Sequence, residues 1–324
     1  MRVFVTGAAG FIGTATTKEL IAHGHEVLGL ARSDANAMAL EKMGAKVHRG
    51  SLEDLDSLRK GAKDTDGTIH LAFIHDFSKF MENGQIDKRA IEAMGDVLEG
   101  TNKPFIVTSG TGLLAPGGIS TEDIRPEASA FTPRVSEQVG LAYASRGVRA
   151  MAIRLPQVHG GDGAAGLITY LLDLALQAGA VAYVGDGSAR WPSAHRLDVA
   201  RLYRLALEKG AANGIYNAVA EEGVPMLQIA EVLGRALKLP VISIKAEEAG
   251  KYYGPLAMFA GLDIPASSTK TQAELGWKPT EIGLIADIGQ PDYFKSRIAA
   301  AAPTGHRERA CSATTPSYPE WSRR

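Results

Sequence analysis

Gly7-Ala8-Ala9-Gly10-Phe11-Ile12-Gly13 lies between a β-branched run at residues 3–6 and a stretch of helical spacing at 12–23. In that strand, turn and helix setting, glycines three apart leave the chain few options. The first permits a sharp turn, the second lets backbone N–H groups approach a pyrophosphate, and the third lets helix and strand pack closely. The helix N-terminus then presents unpaired N–H groups to the anion. Gly7, Ala9, Gly10, Phe11, Ile12 and Gly13 are therefore expected to hold a dinucleotide, a purely structural glycine turn being the alternative.

The same rhythm continues downstream. Extended runs at 27–31, 45–49, 68–73, 105–108, 150–155 and 215–219 alternate with helical stretches at 35–43, 52–61 and 134–146. Such alternation predicts an α/β fold, a Rossmann-type doubly wound parallel sheet covered by helices. After Val158 the pattern changes, with a glycine-rich loop and an apolar helix at 167–178. The expected division is a first domain of 1–159 plus 198–220 and a smaller substrate domain of 160–197 plus 221–290. From 291 to 324 the chain is rich in Ala, Ser, Thr, Pro and Arg. That composition reads as a tail. A dimer arm is the alternative, which leaves a homodimer open.

Composition narrows the function. The 324 residues carry 35 Lys and Arg against 36 Asp and Glu, a net charge of -1, so no overall field favours nucleic acid or an anionic membrane. One cysteine, Cys311, can form neither an intrachain disulfide nor a Cys-rich zinc site, and it points to a reducing, cytoplasmic setting. The first residues leave no room for a cleaved leader, and no run reaches the ~18 apolar residues of a membrane span. No histidine pair has the spacing of a zinc helix, and Asp162, Asp186 and Asp198 are scattered, so no metal is expected.

The end of the second strand bears on which dinucleotide binds. An acidic residue there would hold the 2′-hydroxyl of NAD, but the chain reads Leu30-Ala31-Arg32-Ser33. Arg32 offers a guanidinium and Ser33 a hydroxyl to a 2′-phosphate, which favours NADP over NAD. The alternative is that Arg32 is a solvated charge and Asp34 takes the ribose.

At this point the chain resembles the extended short-chain dehydrogenase/reductases, the NAD-dependent epimerase/dehydratase group, over roughly residues 1–290. Thr6 to Gly13 is similar to that family's TGxxGxxG, and Gly50-Ser51-Leu52-Glu53-Asp54 to its GDLxD turn. His70-Leu71-Ala72 resembles its HLA strand, and Thr108-Ser109-Gly110-Thr111 the strand end that carries its catalytic hydroxyl. Arg154-Leu155-Pro156-Gln157-Val158-His159-Gly160 is similar to RPxxVYG, His195-Arg196-Leu197-Asp198-Val199-Ala200 to HVDDVA, and Leu275-Gly276-Trp277-Lys278-Pro279 to LGWxP. The resemblance implies that Ser51 and Leu52 run along the adenine and that Leu71, Ala72 and Phe73 line the cofactor channel. It also implies that Leu155, Pro156, Gln157 and Val158 border the nicotinamide, and it places Thr108 beside the cofactor.

The resemblance fails at one point. The family's proton donor is a Tyr made more acidic by a Lys four residues later. None of the nine tyrosines here has Lys at that spacing: Tyr143 is followed by Gly147 and Tyr293 by Arg297. Alignment on Glu137 and Leu141 puts Ser129 and Pro133 in those places. The chain therefore resembles an atypical subgroup without the pair. A hydrogen-bond donor is still required, and Ser109 and Thr111 at a central strand end are the expected hydroxyls. Arg134 and Ser136 at the start of the crossover helix are further catalytic candidates, a solvated helix-end charge being the alternative for Arg134. His159 and His195 are weighed as titrating groups, with structural roles as the alternative.

For the substrate, Phe73, Phe77, Leu113, Phe131, Trp191, Tyr253 and Phe259 are expected to build an apolar wall, with His195 nearby, though ordinary core packing accounts for some of them. The leading expectation is an NADPH-dependent reductase (carbonyl reductase or alcohol dehydrogenase) acting on a small apolar ketone or aldehyde. The alternatives are a non-redox dinucleotide sensor, suggested by the missing pair, and a nucleotide-sugar epimerase or dehydratase, implied by the fold resemblance alone.

Overall fold

A computed structural model describes residues 1–114, 118–125, 134–161 and 166–301. Cys311, Ser129, Phe131, Pro133 and Asp162 fall outside these residues, and the side chain of Phe77 is likewise not described. The first unit begins with β1 (Arg2–Thr6), α1 (Phe11–Ala22), β2 (Glu26–Ala31), α2 (Asp34–Lys42), β3 (Lys46–Arg49), α3 (Leu55–Lys63), β4 (Gly67–His70) and α4 (Phe80–Leu98). It continues through β5 (Pro104–Gly110), α5 (Ser136–Ala142) and β6 (Arg149–Leu155). Then follow β7 (Gln157–His159), α6 (Leu167–Ala178), β8 (Val181–Val184), β9 (Arg190–His195), α7 (Arg196–Lys209) and β10 (Gly214–Asn217). The chain goes on with β11 (Glu221–Pro225), α8 (Met226–Leu237), β12 (Val241–Ile244), α9 (Ala249–Tyr253), α10 (Ala257–Ala260), α11 (Thr269–Leu275), α12 (Leu284–Ile288) and α13 (Lys295–Ala301).

Seven parallel strands form the main sheet in the order β10-β6-β5-β4-β1-β2-β3. Its central strands are buried on both faces, with Val3, Phe4, Val5, Ile69, Ile106 and Val107 fully excluded from water. Burying each such side chain is worth roughly 1.5–3 kcal/mol, which is why these strands read as continuous apolar runs. The strand order reverses between β1 and β4, and a crevice opens there at the carboxyl ends.

The smaller unit holds a three-stranded sheet, β11-β9-β7, and the pair β12-β8. Its core gathers Leu172, Trp191, Leu233, Tyr253, Leu284 and Phe294. Two boundaries differ from those expected. Leu275 and Trp277 belong to the core of the first unit, and the Trp277 indole donates to the Asp198 carbonyl at 2.9 Å, so part of the 221–290 segment returns to the main sheet. The described chain also stays packed past residue 291, because Tyr293 and Phe294 are buried and Arg297 pairs with Asp173. Two aromatic anchors in a run of small and charged residues suffice to dock α13, which composition averaged over the whole tail conceals.

Candidate functional site

The backbone of the glycine turn is tightly constrained. Gly7 has φ +70°, and a Cβ on it would come within 2.8 Å of the Ala72 nitrogen. A Cβ on Gly13 would sit 1.9 Å from the Gly7 carbonyl oxygen, so close approach of helix and turn needs glycine there. Helix α1 starts without a side-chain cap or an acidic residue in its first turn. Its first N–H groups and its dipole are thus available to an anion. The turn forms one wall of a cleft of about 910 Å³ that crosses the carboxyl ends of the central strands, with Leu167 and Tyr170 of α6 and Trp191, Leu256 and Phe259 of the smaller unit on its other side. A bare anion cradle opening into a long, mostly apolar cleft fits an extended dinucleotide.

At one end the cleft is lined by Arg32, Asn36, Ser51, Leu52 and Glu53. Arg32 is exposed and makes no ion pair among the described residues. Asp34 turns to Arg49 at 2.8 Å and does not line the cleft. Ser33 caps α2 by accepting the Asn36 N–H, and Ala31 is buried beneath, so neither side chain forms the wall.

Leu71 and Ala72 line the middle of the cleft with Leu155, Pro156, Gln157 and Val158, and Phe73 leads into the far end beneath Arg134. Ser109, Thr111 and Arg134 converge at the far end. Ser109 Oγ has no hydrogen-bond partner among the described residues, whereas Thr111 Oγ1 donates to the Leu155 carbonyl at 3.3 Å. The Arg134 guanidinium lies 4.1 Å from the Phe73 ring centroid. Its Nη2 donates to the Thr108 carbonyl at 2.7 Å and its Nε to Ser136 Oγ at 2.9 Å, leaving Nη1 without a partner among the described residues.

Behind Arg134 runs a buried polar chain. Ser136 Oγ donates to Asp87 Oδ2 at 2.5 Å, and Asp87 Oδ1 meets His70 Nε2 at 3.1 Å. His70 Nδ1 pairs with Thr6 Oγ1 at 2.8 Å, at the end of β1 beside the glycine turn. With Asp87 ionised, Nε2 carries the proton and Nδ1 accepts from Thr6. Burial opposes the charge on Asp87, but the hydrogen bond from His70, with Arg134 and Ser136, outweighs it and holds the carboxyl below its ordinary range. Burial pulls the other way on Arg134, lowering its pKa against the opposing pull of Asp87, yet a guanidinium stays charged in a protein. Ser136 is therefore a link behind Arg134, not a wall of the cleft. Thr108 is also beneath the wall, its hydroxyl donating to the His70 carbonyl at 2.7 Å and meeting Tyr203 Oη at 2.8 Å.

A model described as the NAD dependent epimerase/dehydratase family matches residues 3–218. The chain belongs to that family. An uncharacterized protein of Schizosaccharomyces pombe is 46% identical over 295 residues, spanning 91% of this chain and 100% of its own length. An uncharacterized protein of Saccharomyces cerevisiae is 46% identical over 291 residues, 89% of this chain and 98% of its own. Among solved structures, the DesIV dTDP-glucose 4,6-dehydratase of Streptomyces venezuelae, with NAD and TYD bound, superposes with a TM-score of 0.73 at 20% identity, covering 94% of this chain and 99% of that one.

Within this epimerase/dehydratase frame, Phe73, Leu113, Trp191 and Phe259 all line the far end of the cleft. Tyr253 does not: it is buried in the smaller unit, its hydroxyl donating to the Ala182 carbonyl at 2.6 Å. His195 and His159 also lie away from the wall. His159 Nδ1 meets Asp287 at 2.7 Å, and His195 Nδ1 accepts the Leu197 N–H. Residues not anticipated from the sequence include Asn36, Ile74, His75, Tyr170 and Ile264. His75, five residues past the end of β4, was the most findable of these. No helix among the described residues is long and apolar enough to cross a membrane, and no cluster of three or more His, Cys, Asp or Glu there could hold a metal ion.

Proposed function

We propose that this family member is an NADPH-dependent reductase of small apolar ketones or aldehydes, working in the reducing cytoplasm. One observation carries the reading: the far end of the cleft is walled by Phe73, Leu113, Trp191, Phe259 and Ile264, and Ser109 and Arg134, each keeping a polar atom without a partner among the described residues, line the same space. Because Asp87 already balances Arg134, the site suits a neutral carbonyl better than a second anionic group. A bound reduced nicotinamide supplies hydride. The chain does the rest. Arg134 and Ser109 hold the carbonyl oxygen and stabilise the negative charge that grows on it, while the aromatic wall excludes water and orients the apolar body. Arg32, free of any carboxylate partner among the described residues, supports a 2′-phosphate and hence NADPH.

The test mixes protein, NADPH and a panel of aliphatic and aromatic ketones and aldehydes. Carbonyl-dependent loss of the reduced-nicotinamide absorbance is the expected result; none across the panel would remove the reading. The whole-length similarity to a dTDP-glucose 4,6-dehydratase favours a second reading, sugar-nucleotide chemistry. It needs cations for a substrate diphosphate, and among the described residues lining the far end the one permanent cation is Arg134.

A further inference from the structure

We propose that His75 is the proton donor of this site, standing in for the absent Tyr and Lys pair. The assignment rests on the reductase reading above. His75 lines the cleft on the segment after β4, with its ring 5.5 Å from that of Phe73 in an edge contact. Arg134 covers the same Phe73 ring at 4.1 Å, so imidazole and guanidinium flank one aromatic side chain at the end where Ser109 Oγ has no hydrogen-bond partner among the described residues. His75 packs one side of its ring on the wall yet keeps much of its surface exposed, which gives it exchange with solvent protons. Of the titratable side chains lining the cleft, Glu53 belongs to the Arg32 end and Tyr170 is a phenol without a lysine partner at the family spacing. His75 is the one that changes charge near neutrality.

The electrostatics set the direction of its pH response. Burial of the ring against the wall comes first and the Arg134 charge second; together they hold the His75 pKa below the usual histidine value, against a hydrogen bond with the Phe73 backbone. The charges around it are few. Arg134 approaches from the segment before α5, with Asp87 of α4 behind it. On its own segment, Asp76 is engaged by Ser78 and drawn to Lys79. Gly254–Leu256, which packs on the neighbouring turn Phe77–Lys79, carries no charged side chain.

The step balances. As the carbonyl carbon gains hydride from the reduced nicotinamide, the carbonyl π pair moves onto oxygen, held by Arg134 and Ser109. That oxygen takes the proton of the His75 imidazolium, whose N–H bonding pair stays on nitrogen, and solvent reprotonates the ring. A lowered pKa makes the imidazolium a stronger acid but a scarcer one at pH 7. Turnover should therefore rise as pH falls, with a midpoint below 6.5.

His75→Gln keeps ring-sized bulk at an exposed position and tests this. In the wild type, kcat/KM for the carbonyl should follow one ionisation, and the His75 ring resonances of the coenzyme-free protein, assigned by their absence from His75→Gln, should titrate below the usual histidine midpoint. In His75→Gln, kcat at about pH 6 should fall roughly a hundredfold and lose both the acid-side rise and the solvent deuterium isotope effect, with coenzyme affinity unchanged. An unaltered profile in an active His75→Gln protein, or a profile flattened by Ser109→Ala instead, would overturn the assignment while leaving the reductase reading intact. A wild type that turns over no carbonyl with either reduced coenzyme would overturn both.

Discussion

Arg32 stands at the cleft wall without a carboxylate among the described residues, while the nearest acid in sequence, Asp34, is held by Arg49. A charge-assisted contact to a 2′-phosphate is worth roughly 1.5–3 kcal/mol, so Arg32→Ala should weaken NADPH about tenfold to a hundredfold and NADH hardly at all. Titration calorimetry with both coenzymes checks this, and equal losses would exclude a phosphate contact. Arg134 makes a different demand. Its Nε and Nη2 are spent on Ser136 and the Thr108 carbonyl, leaving Nη1 without a partner among the described residues, a division that an ammonium cannot reproduce. Arg134→Lys should lower kcat by about 10²–10³ with coenzyme affinity preserved, measured by steady-state kinetics beside direct binding. The places of the turn glycines, Arg32, Ser109 and Thr111 along the cleft were legible in the sequence because strand ends and the glycine turn dictate where such residues stand. Ser33 was not, since a serine before a helix can bind a ligand or cap the helix with the same hydroxyl, and here it caps. His75 went unread because its significance comes from Arg134, which arrives from a distant segment.

Helix α4 shows why a whole element can escape a reading of periodicity. Its buried face includes Asn83, Gly84, Asp87 and Gly95 among Ile86, Ile91 and Met94, so the apolar stripe is broken by polar and small residues. Those interruptions have a structural use: Asp87 is the acceptor on which His70 and Ser136 converge. The regularly alternating strands, buried on both faces, were legible to within a residue or two at most ends. The helix expected over 134–146 is shorter, ending as an α-helix at Ala142 and closing in a tight turn to Arg146. Asp87 also makes a prediction for stability. Its carboxyl is held below the ordinary value of 3.8, so its contribution is fully present above that pH and is lost as the pH falls below it. Asp87→Asn should therefore unfold more easily at neutral pH yet lose less stability on acidification from about pH 5 to about pH 2, as read by urea denaturation at each pH. An unchanged acid slope would show that Asp87 is not the group that titrates.

At the scale of the molecule, the cleft draws one wall from each unit, and its ligand should brace both. At a hundredfold excess over its dissociation constant, a coenzyme that binds only the folded protein adds about 2.7 kcal/mol. NADPH should thus raise the melting temperature by several degrees, more than NADH at equal concentration, in differential scanning calorimetry. The same experiment should show one transition. Strand β9 puts Trp191 into one core and Ala194 into the other, and the Trp277 segment is pinned back to Asp198. A chain stitched to and fro in this way has no clean seam. Excising either half would strand an unpaired sheet margin and a bare greasy face, so engineers seeking a minimal fragment should expect inclusion bodies and would do better to graft loops onto the intact protein.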